Sequence, residues 1–235
     1  MKPYRHSALG CTLAMLALSP LSSWAADPSS AAPNDAVGLK LPPVRGWYAG
    51  GALSFVGLNA NWNRTDDTIR SIGATSFSTS ADHDNGQAWK AYVGYRYSPR
   101  LSVEAGYWDF GKLTYTANIS APVTTSLQRG FRAKGAGADA VGWLPIGYGF
   151  TGFAKAGALW THVDAGAATP GGGLSSLPSE SANQISPHLG IGADYALRPN
   201  VGLRVEAEAV GNVGDKNKFG NGDLYMLSVG ANYKF

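Results

Sequence analysis

The 235-residue chain has a single cysteine, Cys11, and it lies inside the apolar run ALGCTLAMLALSPL near the start. Lys2, Arg5 and His6 precede that run, and the small residues Ser23 and Ala25 follow it. This is the anatomy of a secretory signal peptide over residues 1–25, cleaved before Ala26. A lipid-anchor cysteine would follow the apolar run, so Cys11 is expected to leave with the signal. The mature chain then has no disulfide and no thiolate chemistry. Charge is also scarce, at 15% of residues. Removing Lys2 and Arg5 from 19 basic residues leaves 17 against 16 acidic ones, a net +1, which argues against a nucleic-acid partner. After the first residues there is no apolar run of roughly 20, the length a membrane helix requires. If the chain meets a membrane, it does so by another route.

What is present is glycine (31 residues) and a high aromatic share of 11%. Residues 26–45, ADPSSAAPNDAVGLKLPPVR, are rich in Ala, Pro and Ser and are expected to form a periplasmic linker. From Trp47 onward, strand-like segments recur: WYAGGALSFVGL (47–58), QAWKAYVGYRY (87–97), LSVEAGYWDF (101–110), one near 131–144, YGFTGFAKAGALW (148–160), SPHLGIGADYAL (186–197), VGLRVEAEAV (201–210) and 224–235. Each is near the roughly 9–11 residues that let a tilted strand cross a bilayer. Three connections are tight and contain proline: Ser98-Pro99-Arg100, Pro145-Ile146-Gly147 and Arg198-Pro199-Asn200. The other four, about 59–86, 111–130, 161–185 and 211–223, read as long polar loops. Short turns at one end and long loops at the other are the pattern of outer-membrane barrels, with the turns periplasmic.

The strands alternate. Trp89, Ala91, Val93, Tyr95 and Tyr97 share one side, and Lys90, Tyr92, Gly94 and Arg96 the other. Leu203, Val205, Ala207 and Ala209 oppose Arg204, Glu206 and Glu208, and the closing strand LYMLSVGANYKF behaves likewise. One face carries glycine and full charges, and the other is apolar and bounded by Trp or Tyr. Lipid outside and a polar lumen inside accounts for this. A soluble, lipocalin-like barrel would instead place Lys155 and Arg204 outside. The expected fold is an all-β, eight-stranded antiparallel up-and-down transmembrane β-barrel over residues 46–235. In hydrocarbon every backbone N–H and C=O must be paired, so the last strand must close on the first.

LGIGADYALRPNVGLRVEAEAVGNVGD and LYMLSVGANYKF resemble the sixth to eighth strands of the OmpA-type eight-stranded outer-membrane barrels. GWYAGGALSF, YVGYRYSPRLSVEAGYWDFG and FAKAGALW are similar to the family's first, second-third and fifth strands. The resemblance implies the cell outer membrane, with both termini periplasmic. It also implies contact with lipid and lipopolysaccharide, and recognition of the terminal aromatic Phe235 as an insertion signal by the barrel-assembly machinery. The peptidoglycan-binding domain of the best-known members is not matched, so a stand-alone, monomeric barrel is expected. The fourth strand, FRAKGAGADAVGWLP, is rich in Ala and Gly, and Asp139 is expected to point inward.

The candidate site is a lumenal charge cluster: Lys90, Arg96, Glu104, Lys155, Asp194, Arg204, Glu206 and Glu208. Asp194 and Arg204 flank Pro199 symmetrically and can pair across strands. Arg96 and Glu104 can meet diagonally, and Lys90, Lys155, Glu206 and Glu208 lie higher. By the resemblance such pairs gate a narrow passage. The plainer reading is a packed polar core, since an eight-stranded barrel is just wide enough for side chains to fill it and buried charges must pair regardless. The first expectation is therefore a structural or surface-exposed barrel, at most a small gated pore. The alternatives are adhesion or ligand binding through the four long loops, and an enzyme acting on lipid A. For the enzyme, His162 and Asp164 with Ser175 or Ser176 are the candidates, without the HxS pairing such enzymes use; lumenal His188 likewise has no serine two residues on. Asp82, His83 and Asp84 could offer mixed N and O ligands, but three adjacent residues converge poorly on one ion, and solvated loop is the favoured reading. Trp62, Phe77 and Trp160 could hold a partner or simply order the loops and the interface. No catalytic, metal or cofactor site is expected.

Overall fold

A computed structural model describes residues 45–60, 67, 69–71, 73–83, 88–121, 124–168, 176–215 and 220–235. The expected signal peptide, and all of the expected linker except Arg45, lie outside these residues. Nine strands follow in chain order: β1 (Gly46–Ala60), β2 (Ser76–His83), β3 (Ala88–Arg96), β4 (Leu101–Ala121), β5 (Thr125–Gly147), β6 (Phe150–Ala165), β7 (Glu180–Ala196), β8 (Val201–Asp215) and β9 (Gly220–Lys234). Eight of them form a closed antiparallel ring, β3-β1-β9-β8-β7-β6-β5-β4, sealed where β3 pairs with β4. β2 pairs with the upper part of β4 (His83↔Leu113), continuing the line that β3 follows lower down (Trp89↔Asp109). The terminal strand is held on both sides: β9 pairs with β1 from Tyr48↔Lys234 to Ala60↔Gly222, and with β8 from Val201↔Tyr233 upward. The Phe235 N–H donates to the Trp47 carbonyl at 2.9 Å.

The registers fix the barrel's girth. From Tyr48, the chain of partners runs Gly94, Glu104, Asp139, Gly157, His188, Val210, Leu224 and back to β1 at Leu58, ten residues above the start (48 to 58). Eight strands with that stagger tilt by about 40–45° and enclose a lumen only wide enough for side chains.

Outward positions are apolar: Leu53, Val93, Val103, Leu189, Ile191, Leu203, Val205, Leu227 and Val229 are all exposed. Trp47, Tyr95, Tyr97, Phe150, Tyr195, Tyr233 and Phe235 ring the end where the short turns lie, and Phe55, Trp89, Tyr107, Trp160 and Tyr225 ring the other. Lys155 is 4% exposed and Arg204 1%, the reverse of what a water-soluble barrel needs. Charged groups inside and hydrocarbon outside, between two aromatic girdles, make this a transmembrane barrel.

Two expectations about the connections need correcting. The stretch 111–130 is not a loop: β4 continues to Ala121, and β5 starts at Thr125. Likewise β6 reaches Ala165 and β7 starts at Glu180, so both ends of 161–185 are strand. The reason for the first is a bulge between Asp109 and Lys112, where β4 carries one extra residue relative to β5. Gly111 has φ 79°, and the Asp109 carboxylate accepts its N–H at 3.0 Å. One extra residue inverts the facing: below it Ser102, Glu104 and Trp108 point in, above it Tyr115, Ala117 and Ile119 do. The second correction concerns the turn expected at Pro145-Ile146-Gly147. β5 runs through Pro145 to Gly147, and the chain reverses at Tyr148-Gly149, with positive φ at Gly147, Tyr148 and Gly149. Only Leu197–Asn200 and Tyr97–Arg100 turn at proline as expected.

Candidate functional site

The lumen carries two charge layers. In the lower one, nearer the short turns, Arg204 on β8 donates from Nη1 to Glu104 on β4 at 2.8 Å, and its Nε lies 3.6 Å from Asp194. Tyr48 donates to Glu104 at 2.8 Å, and its oxygen is 2.9 Å from the Ser102 hydroxyl. Trp143 Nε1 donates to that same hydroxyl at 2.7 Å. Asn232 donates to Asp194 at 2.7 Å. The Arg204 guanidinium is also enclosed by aromatic faces, 4.3 Å from the centroid of Phe153 and 4.6 Å from that of Tyr92, which stabilises a desolvated cation.

In the upper layer Lys90 donates to Glu206 at 2.5 Å and to Glu208 at 2.6 Å. Lys155 pairs with Glu206, with Glu208 at 2.7 Å and with Asp139 at 3.8 Å. His188 lies between Asp139 (2.8 Å from Nδ1) and Glu208 (3.2 Å from Nε2). Trp108 and Ser228 donate to Glu208 at 3.2 and 3.1 Å. All of these side chains are buried. Each charge has partners of opposite sign, which is the condition for keeping it out of bulk water.

Above these layers the lumen is mainly apolar, with the Thr161–Ser186 hydroxyl pair (3.0 Å) and Arg129 as buried polar groups. Val210, Leu159, Leu224, Met226 and the Trp108 ring form one buried cluster that continues between the extended strands through Tyr115, Ile119, Leu127 and Leu177. The expectation of a polar lumen holds only for the lower part.

The model of the OmpA-like transmembrane domain matches residues 49–235. The chain belongs to this family. Among curated relatives, the outer membrane protein A of Salmonella typhi is 27% identical over 197 residues, covering 83% of this chain and 49% of that protein. The one from Yersinia pseudotuberculosis is 28% identical, covering 83% and 50%. The chain thus spans about half the length of the curated relatives it matches. Among solved structures, the outer membrane protein OprG from Pseudomonas aeruginosa superposes with a TM-score of 0.52 at 10% identity, covering 84% of this chain and 99% of that one. That similarity concerns the fold alone.

In this OmpA-like barrel seven of the eight expected cluster members form the two layers. The eighth, Arg96, does not meet Glu104. It stacks on Trp143, 3.9 Å from the ring centroid, while Glu104 is taken by Arg204 and Tyr48. Asp194 and Arg204 are register partners as expected, but at 3.6 Å their contact is an ion pair and not a hydrogen bond. Asp139 points inward. Residues not assigned to the cluster from the sequence are His188, Asp139, Trp108, Ser228, Tyr48, Ser102, Trp143 and Asn232. Their parity on their strands placed them on the charged face, but which of them meet depends on the ten-residue stagger.

His162 faces outward, its ring nitrogens 2.6 Å from Asn183 and 3.1 Å from Asp164. Ser176 is exposed, and Ser175 lies outside the described residues, as do Trp62, Asp84 and the side chains of Asp82 and His83. Phe77 is half-buried beneath Arg70, and Trp160 is exposed in the girdle. Among the described residues no group of three or more His, Cys, Asp or Glu side chains is arranged to hold a metal ion.

Proposed function

We propose that this outer-membrane barrel is a structural element of the envelope whose lumen is sealed against ions, with its short turns and both ends of the barrel sequence on the periplasmic side. The observation that carries the reading is the set of direct bonds across the lumen. Arg204–Glu104 and Trp108–Glu208 each join β8 to β4, four places away in an eight-membered ring. Lys90 spans from β3 to β8. The apolar layer above adds a second barrier, because a dry constriction stops ions without any charge pair. A gate would have to break the Arg204 and Lys155 pairs and also wet the Leu159–Val210 layer. The orientation follows from short turns at one end and long extensions at the other. The test is solute uptake into proteoliposomes: swelling in small sugars or salts should not exceed that of empty liposomes, and swelling comparable to a porin's would refute the sealed reading.

The ridge formed by β2, β4 and β5 supports a second reading, contact with a partner at the cell surface. β4 and β5 are 21 and 23 residues long, well beyond the roughly 9–11 that a bilayer requires. If the ridge serves adhesion, shortening the β4–β5 hairpin should abolish cell binding while leaving the barrel assembled.

A further inference from the structure

We propose that the outer wall of β5 and β6 is a seat for one phosphorylated lipid of the surrounding leaflet. Two independent features coincide there. The first is a recess. Outward alanines elsewhere, such as Ala91, Ala105, Ala207 and Ala209, alternate with or stand beside Leu, Val or aromatic residues, but three successive cross-strand pairs on this wall are Ala138–Ala158, Ala140–Ala156 and Gly142–Ala154. Leu101 and Val103 on β4 and Ile191 and Leu189 on β7 flank the lower two pairs, and Ala105 and Pro187 flank the upper one. With side chains of one carbon or none between ridges of branched side chains, the wall is a shallow trough along the strands. From Ala138 to Gly142 its length is about 13 Å, taking roughly 3.3 Å per residue, and it opens upward onto Ala136 between Tyr107 and Trp160. An acyl chain fits such a trough and gains van der Waals contact along it.

The second feature is charge at the trough's upper end. On β5 the next outward residues are Lys134 and Arg132; opposite them stand His162 and Asp164 on β6, and Lys112 lies across from Arg132 on β4. Arg132 also holds Asp109 at 3.1 Å. These groups lie just beyond Trp160 and Tyr107 of the upper girdle, where headgroups begin. Among the described residues, the corresponding outward positions on the far wall are Gly57 on β1 and Asp223 on β9, neither of them basic. A phosphate at Lys134 and Arg132 with its acyl chain in the alanine trough satisfies both. The bare trough could also suit a second copy of the chain, but the basic rim would then face itself, and like charges oppose that arrangement.

The inference rests on the membrane embedding described above and not on lumen closure or orientation, so binding is measured in detergent. Native mass spectrometry with lipid A as the probe should retain one lipid per barrel, and dephosphorylated lipid A should bind less. Each basic residue near an anionic surface contributes roughly fivefold. Lys134→Ala with Arg132→Ala should therefore weaken binding by about 30-fold. Ala140→Leu with Ala156→Leu fills the trough without adding polarity, and should weaken lipid binding with both basic residues in place. Retention of the gel shift on boiling certifies that each variant is folded. The proposal is overturned if both double variants bind lipid A as the parent does, or if dephosphorylation has no effect. It is equally overturned if the leucine pair abolishes a dimer and leaves lipid binding intact.

Discussion

Arg204 and Glu104 join opposite walls of the barrel: Nη1 lies 2.8 Å from Oε1 although 100 residues separate them in sequence, and both side chains are sealed from solvent. Removing the cation leaves Glu104 without its charge partner in a dry site, which typically costs about 3–5 kcal/mol. Arg204→Ala should lower unfolding stability in urea by about 3 kcal/mol. Adding Glu104→Gln should recover part of the loss, because the orphaned charge is gone. Additive effects in that double-mutant cycle would mean that the two residues do not act as a pair.

The lower layer also depends on a missing side chain. Gly94 faces inward against the Tyr48 ring, and a Cβ built there would overlap its Cε1, Cζ and hydroxyl. Gly94→Val should displace Tyr48 from Glu104 and Ser102 and destabilise the barrel by about 1–3 kcal/mol, the usual range for overpacking. Tyr48→Phe, which keeps the ring and removes only the hydroxyl, should cost less. Thermal denaturation followed by gel shift ranks the two, and an equal or larger loss for Tyr48→Phe would contradict the packing account.

These contacts mark where sequence reading reaches its limit. The facing of Lys90, Lys155, Asp194, Arg204, Glu206 and Glu208 was legible, because period-two alternation assigns each residue to a face without any knowledge of its partners. The charged face also held Tyr48 and His188, yet their roles were hidden. Glu104 is reached from β1 and β8, and only the accumulated stagger of the ring brings those residues to one height. The extension of β4 is hidden in the sequence for a local reason. Leu113, Tyr115, Ala117 and Ile119 do alternate, but out of phase with Ser102–Trp108, because the bulge at Gly111 inserts a residue. The apolar upper lumen is hidden with it, since Tyr115, Ile119 and Leu127 fall in the stretch 111–130, which reads as a polar loop.

Closure of the backbone ladder should make the protein heat-modifiable. Unheated in mild detergent it should migrate as a compact species, and boiling should shift it, because opening any one seam exposes unpaired backbone groups in an apolar surround. Identical migration before and after boiling would be incompatible with the β1–β9 seam.

Phe235 lies in the outward aromatic ring beside Tyr233, with ring centroids 5.1 Å apart. Phe235→Asp places a charge at the lipid interface and removes the proposed insertion signal. Its outer-membrane level should fall well below that of the parent, with the remainder degraded. Phe235→Trp should behave like the parent. Fractionation and immunoblotting decide, and a normal level of the Asp variant would remove this role from Phe235.

The sealed lumen is tested most directly by single-channel recording in planar bilayers, comparing the parent with Arg204→Ala and with Arg204→Ala carrying Leu159→Ser and Val210→Ser. The two-barrier account predicts no steady current from the parent, little from Arg204→Ala because the apolar layer remains dry, and discrete openings from the triple variant. A steady ohmic conductance from folded parent protein would contradict it.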